Sequence, residues 1–189
     1  MSEPDMRKSA EDLNILRIAR ALDFAARKHA GQRRKGEAAE PYINHLAEVA
    51  LLVAEASRGA DPDLVIAAYL HDTIEDQGVR REELEALFGA YVARLVSEVT
   101  DDKNLDKAVR KELQVQHAPH KSARARMLKI ADKASNLRSI LASPPADWSI
   151  DRKREYFEWA AKVVAGCRGV SPWLEAGFDE AYARRAELA

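Results

Sequence analysis

The sequence predicts an all-α fold, a single helical bundle of roughly nine helices. Three observations carry this. Apolar residues recur at three- and four-residue intervals almost throughout, strand-type alternation is hard to find, and Ala, Leu, Glu, Arg and Lys dominate a composition with only 6% aromatics. A chain of 189 residues suffices for one domain with a sizeable core, taken as residues 1–189, and a second full domain would be cramped.

The elements follow in order. Residues 10 to 30 form an amphipathic helix with Ile15, Ile18, Leu22 and Ala25 on its apolar face. "AGQRRKGEAAEPYI" is a loop punctuated by Gly31, Gly36 and Pro41, and Asn44 can cap the helix "HLAEVALLVAEAS" that follows. Asp61 and Pro62 suit the N-cap and first turn of a helix over 62–75. "REELEALFG" ends on Gly89, and "AYVARLVSEVT" continues in the same style. A charged segment holds a helix before Pro119, and "SARARMLKIADKASNLRSILAS" is amphipathic up to Pro144 and Pro145. Ser149 can cap the helix of "REYFEWAAKVVAGC", and a last helix follows Pro172.

The totals exclude several classes. Thirty Lys and Arg stand against 31 Asp and Glu, so bulk attraction to nucleic acid or to a membrane surface is not expected, and any basic site is local. Apolar runs such as "EVALLVAEA" are too short to span a bilayer, and "MSEPDMRKSAEDLNIL" lacks the apolar stretch of a secretory signal. Cys167 is the single cysteine and has no internal disulfide partner, which suits a reducing, cytoplasmic location. Oligomeric state is not encoded in any feature of this kind.

The chemistry concentrates in "AAYLHDTIED". His71, Asp72, Glu75 and Asp76 lie within six residues of an apolar helix, where ionised groups are costly unless a metal or partner compensates them. Helical spacing gathers all four toward one side, and His71 and Asp72 can share an ion placed beyond the helix surface. Two further ligands must come from elsewhere. His45 in "PYINH" and Asp132 in "LKIADKASNL" are the candidates, the latter a carboxylate beside the apolar face of Met127, Ile130 and Leu137. Taken alone, His45 could be a core histidine and Asp132 half of an ion pair with Lys129 or Lys133. Two imidazoles with two carboxylates suit Mn²⁺ or Fe²⁺ and can hold Zn²⁺ or Co²⁺. His29, His117 and His120 lack such partners and are read as surface or loop residues.

The order H…HD…D resembles the HD-domain metallohydrolases. "QRRKG", "PYINH", "LHDTIED", "VTDDK", "ADKASNLR" and "YFEWA", over about residues 20 to 165, narrow the resemblance to the alarmone hydrolases. These are the hydrolase domain of RelA/SpoT proteins and its free-standing small relatives, including the metazoan SpoT homologue. The resemblance implies an all-α fold and Mn²⁺-dependent removal of the 3′-pyrophosphate from guanosine tetra- and pentaphosphate, a small-molecule nucleotide. It implies His45, His71, Asp72 and Asp132 as metal ligands, and Glu75 and Asp76 as the pair that positions or deprotonates the attacking water. It further implies nucleotide contacts from Arg34, Lys35, Tyr42, Lys107, Asn136 and Arg152. Two departures stand out. Leu46 follows His45 where "PYINHP" is the commoner form, and Ala134 and Ser135 stand where "ADKLYNL" is common, trimming bulk beside Asn136. No synthetase domain fits in the remaining residues, so the chain resembles a stand-alone hydrolase.

Hydrolysis of a phosphate ester needs a nucleophile and a means of holding developing charge, and a divalent ion supplies both. "RRK" at 33 to 35 places three cations before the first ligand, suited to clamping phosphate. Tyr42 could stack on a base or pack in the core, while Tyr156, Phe157 and Trp159, with Trp148 and Trp173, are read as buried packing. Two other readings remain open at this point. One is an HD-type phosphatase acting on another nucleotide, such as NADPH or a deoxynucleotide. The other is a hydrolase-derived sensor that binds alarmone, against which the intact ligand set and the Glu75–Asp76 pair argue.

Overall fold

The computed structural model describes residues 3–188, with side chains from Leu13 to Leu188. Among the described residues ten α-helices follow one another. They are α1 (Glu3–Lys28), α2 (Ile43–Ala56), α3 (Pro62–Leu70), α4 (Thr73–Gln77), α5 (Arg81–Phe88), α6 (Ala90–Val99), α7 (Lys107–His117), α8 (Ala123–Ala142), α9 (Ile150–Cys167) and α10 (Pro172–Ala183). Short 3-10 turns follow α7 and α10. The architecture is all-α, and nine expected helices become ten because the expected helix over 62–75 is broken at His71 and Asp72. No helix among the described residues is long and apolar enough to cross a membrane.

α3 is the axis of the bundle. Leu64, Val65, Ile66, Ala67, Ala68 and Leu70 are all buried, so the helix is apolar on every side, as a helix enclosed by others must be. It packs against α1, α2, α6 and α8. Asp61 accepts a hydrogen bond from the Leu64 amide with Pro62 in the first turn, the cap expected from sequence. Ser122, Ser149 and Ser171 cap α8, α9 and α10 in the same way. Phe157 and Phe178, almost wholly removed from solvent, fix α9 and α10 to the core, each burial worth about 1.5–3 kcal/mol.

Three expectations are corrected here. Ile15 and Leu22 are 67% and 37% exposed, and the buried face of α1 runs instead through Ala21, Phe24 and Ala25, with Ile18 partly covered. The helix has more apolar positions than its neighbours can cover. Asn44 is no cap: α2 begins at Ile43, two residues before the expected start at His45, and its N-terminus carries no side-chain cap. Trp173 is exposed rather than packed.

The basic loop between α1 and α2 is held at both ends. Arg33 pairs with Pro41 in an isolated antiparallel bridge, the Arg34 amide donates to the Glu40 carbonyl at 2.9 Å, and the Tyr42 amide to the Gln32 carbonyl at 3.0 Å. Its tip docks on the end of α8, where the Ala38 amide meets Ser143 Oγ at 2.9 Å. A Cβ on Gly36 would collide with the Ser143 carbonyl oxygen and side chain, so only glycine permits this approach.

Candidate metal centre

The break between α3 and α4 sets the site. α3 ends at Leu70 with carbonyls that have no helical partner, and two side chains of the motif itself take them up. His71 Nδ1 donates to the Ala68 carbonyl at 2.8 Å, and Thr73 Oγ1 to the Leu70 carbonyl at 2.6 Å. Asp72 sits at the junction with φ −100° and ψ 0°, outside regular helix, and a new turn starts with the Asp76 amide bonding to the Asp72 carbonyl. The junction frees His71 Nε2 and the Asp72 carboxylate to face the same point.

α2 brings His45 and α8 brings Asp132 to that point. His71 Nε2 lies 3.1 Å from Asp72 Oδ2, and His45 Nε2 lies 3.8 Å from the same oxygen. Asp132 Oδ1 is 3.4 Å from His45 Nε2 and 3.9 Å from His71 Nε2. His45, His71 and Asp72 each offer a donor atom within 4.8 Å of the others. Ligand bonds of about 2.0–2.2 Å put neighbouring donors of one ion roughly 3–3.5 Å apart, the range these distances straddle. Both imidazole Nε2 atoms are buried and make no hydrogen bond. Buried nitrogens without a partner are costly in a core, and two of them facing carboxylates fit a positive charge at their focus, a proton on His71 or a metal ion shared by both.

The electrostatics agree. Burial lowers the proton affinity of His45. At His71 burial works the same way, but the Asp72 and Asp132 carboxylates outweigh it and push the imidazole up to about 9. Burial would raise Asp72 and Asp132, yet His71 holds the first below the usual carboxylate range, and Lys133 and His45 hold the second there. The site is thus a nest of negative oxygen with too few positive partners of its own. Asp132 does pair with Lys133, through Oδ2 at 2.9 Å, while Oδ1 accepts from Asn136 at 2.6 Å and still faces the histidines. Asp132 thus keeps an ion pair with Lys133 through one oxygen while presenting the other to the histidines.

The carboxylate pair is split by its surroundings. Asp76 is tied on both oxygens, by Gln32 Nε2 at 2.8 Å and Lys103 Nζ at 2.5 Å. Glu75 accepts only the Asp101 amide at 3.2 Å, with Arg110 3.7 Å away. Burial, then Asp101 and Asp72, raise its proton affinity.

A cleft of about 540 Å³ opens over these groups, and Lys35, Tyr42, Lys107, Asn136 and Arg152 line it. Arg34 lines an adjoining hollow and donates to Asn136 Oδ1 at 3.1 Å. All twelve sequence-predicted site residues therefore converge. Tyr42 also buttresses the centre from behind, since its hydroxyl donates to Asp72 Oδ2 at 2.7 Å and its ring stacks on His29.

Several residues were missed. Trp148, Tyr156 and Trp159, expected to serve only as packing, wall the cleft. Lys133 lies 4.5 Å from the Trp159 ring centre, and Lys111 4.9 Å. Helical periodicity looks the same whether a face meets the core or a cavity, so no local signal marked them. His29 is buried rather than superficial. Its Nδ1 bonds Gln32 Oε1 at 2.6 Å, and Gln32 in turn holds Asp76. Gln32 opens the "QRRKG" motif, and that position was the signal for it.

The family model described as HD domain matches residues 21–158. The chain belongs to the HD-domain family. Within it, this HD domain is similar to the guanosine-3′,5′-bis(diphosphate) 3′-pyrophosphohydrolase MESH1 of Homo sapiens, 48% identical over 168 residues that span 89% of this chain and 94% of that protein. The Danio rerio protein of the same name is 45% identical, over 89% and 93% of the two chains. Among solved structures, a metazoan orthologue of SpoT that hydrolyses ppGpp superposes with a TM-score of 0.86 at 41% identity, over 91% of this chain and 97% of that one. The match includes the chain's own His-Asp dipeptide, His71–Asp72, at the junction described above.

Proposed function

We propose that this chain is a metal-dependent (p)ppGpp 3′-pyrophosphohydrolase: guanosine tetra- or pentaphosphate and water yield GDP or GTP and pyrophosphate. One observation carries the reading. Two buried, unpartnered imidazole nitrogens face two carboxylates at the floor of a cleft rimmed by cations, which suits a divalent ion beneath a polyanionic substrate. The activity for which the MESH1 relatives are named, and that of the SpoT orthologue of similar structure, supports the choice of substrate.

His45, His71, Asp72 and Asp132 would hold the ion, with Mn²⁺ as the expected metal and Fe²⁺, Co²⁺ or Zn²⁺ as alternatives for the same donors. When bound, such an ion supplies Lewis-acid activation of water and of a phosphoryl oxygen. The remaining roles belong to the chain. Glu75, whose proton affinity is raised, is the residue suited to take the proton of the attacking water. Asp76, held by Gln32 and Lys103, orients rather than accepts. Lys35, Lys107 and Arg152 flank the diphosphates. Lys107 is already held below its usual proton affinity, first by partial burial and then by Arg152 and Lys35, a crowding of cations that a phosphate relieves. Trp148 and Tyr156 offer ring faces for the base, with Asn136 and Arg34 beside them. The reading places the enzyme in the cytoplasm as one HD-type domain acting on a small nucleotide.

The test is direct. Metal-stripped protein is incubated with ppGpp, with and without Mn²⁺, and GDP and pyrophosphate are quantified. Manganese-dependent release of pyrophosphate, abolished in His71→Ala and Glu75→Gln, is the expected result. Absence of turnover by protein that demonstrably binds Mn²⁺ refutes the substrate, and phosphate release from NADPH in a parallel reaction would redirect it.

A further inference from the structure

We infer that Ser135 and Glu48 form a relay that fixes the tautomer of His45, making Ser135 a positioning residue for the metal. The inference rests on the metal reading above. Ser135 is fully buried, and its Oγ lies 2.8 Å from His45 Nδ1 and 2.6 Å from Glu48 Oε2. A serine hydroxyl has one proton, and an ionised carboxylate can only accept. At 2.6 Å that proton belongs to Glu48. Oγ then turns a lone pair to the imidazole, so Nδ1 must carry the ring proton. An imidazole protonated at Nδ1 presents a lone pair at Nε2, the atom that faces Asp72 and Asp132 and has no hydrogen bond.

The same tautomer is imposed on His71 by the Ala68 carbonyl. There the acceptor is backbone, which no substitution removes. At His45 the corresponding role falls to side chains, so the lock can be opened. The relay also has a far anchor, since Arg138 Nη1 lies 3.4 Å from Glu48 Oε1. Each helix contributes two residues three positions apart, His45 and Glu48 from α2, Ser135 and Arg138 from α8. One turn of each helix is thereby laced to the other at the depth of the metal donors. Ser135 stands where the commoner form of the motif has tyrosine, whose hydroxyl lies too far from its own backbone to occupy this point.

The test titrates Mn²⁺ into metal-stripped protein by calorimetry and follows His45 by long-range ¹H–¹⁵N NMR of the metal-free protein. Ser135→Ala should weaken Mn²⁺ binding by roughly 10–100-fold, the usual effect of losing a hydrogen bond behind a ligand histidine, and should mix the His45 tautomers. Glu48→Ala should act in the same direction, because the freed hydroxyl can then donate to Nδ1, and Glu48→Gln should restore much of the loss. A folded Ser135→Ala protein with an Mn²⁺ Kd within about twofold of wild type and unchanged His45 signals overturns the relay and leaves the metal site standing. Wild-type protein that binds no Mn²⁺ overturns the metal reading instead, and the His45 signals then decide the relay alone. Should Ser135→Ala fail to fold, the half-buried Glu48 supports both measurements.

Discussion

Replacing Lys133 with methionine tests the charge balance of the centre. The Lys133 ammonium lies 2.9 Å from Asp132 Oδ2, with side chains only 5% and 12% exposed, and above the Trp159 ring. Methionine keeps the apolar stem over the indole and deletes only the charge. Removing one member of a buried pair costs about 3–5 kcal/mol, because the other charge is left uncompensated. Asp132 retains the Asn136 hydrogen bond and opens on the cleft, which argues for the lower end, about 3 kcal/mol. A chain of this size loses roughly 2–4 °C in Tm per kcal/mol, so Tm should fall by about 6–12 °C. Calorimetric scans in EDTA measure this directly. Repeating them with saturating Mn²⁺ should shrink the deficit, since a bound divalent ion compensates Asp132 in place of the lysine. A fall below about 2 °C in EDTA would refute the claim that this pair carries the apo centre. A deficit of the same size with and without Mn²⁺ would refute the assignment of Asp132 as a ligand.

Three further outcomes are expected. Glu75→Gln should lower kcat by roughly 10²–10⁴-fold while Mn²⁺ affinity, measured by calorimetry, stays within a few-fold of wild type. Because the Glu75 carboxyl is raised, the acidic limb of the wild-type kcat/KM profile should lie above 4.5 and vanish in the variant. Gly36→Ala should push the basic loop off Ser143 and lower kcat/KM by roughly 10–100-fold without altering Mn²⁺ binding, a misplacement effect read from paired kinetics and calorimetry. The metal-free protein should lose stability as pH rises from 6.5 towards 9. His71 has its folded value raised, so its contribution is complete below 6.5 and disappears through about 9. Melting scans across that window in EDTA check the slope, and Mn²⁺ should flatten it by replacing the proton.

What the sequence made legible follows from cost. A buried histidine or carboxylate needs a reason, so His45, His71, Asp72 and Asp132 stood out against apolar periodicity; the structure gathers the donor atoms of the first three and sets Asp132 Oδ1 beside the two histidines. The caps at Asp61 with Pro62 and at Ser149 were legible for the same reason, as each meets a definite backbone demand. The break at His71 and Asp72 was not, because no glycine or proline marks it and apolar spacing runs on through Ile74. The chain ends α3 with side chains instead, using His71 and Thr73 to take the carbonyls that another turn of helix would have used.

That substitution links fold to chemistry. Had α3 run on to residue 75 as a regular helix, His71 Nδ1 would have lost its acceptor to the backbone amides of the next turn. Its tautomer would then be unfixed. With the break, the helix end and the histidine satisfy each other, and Nε2 is left as the free atom facing Asp72 and Asp132. The aromatic wall shows the opposite case. Trp148, Tyr156 and Trp159 follow the same rule of burial as Phe157, and only the position of α7 across α9 decides that three of them border a cleft while the fourth lies in the core. α7 buries none of its own residues and supplies Lys107, Arg110 and Lys111 to the cleft. A charged segment read from sequence only as a helix before Pro119, with Lys107 its one expected contact, thus turns core-like aromatics into the wall of a cleft and sets Lys107, Arg110 and Lys111 along that cleft.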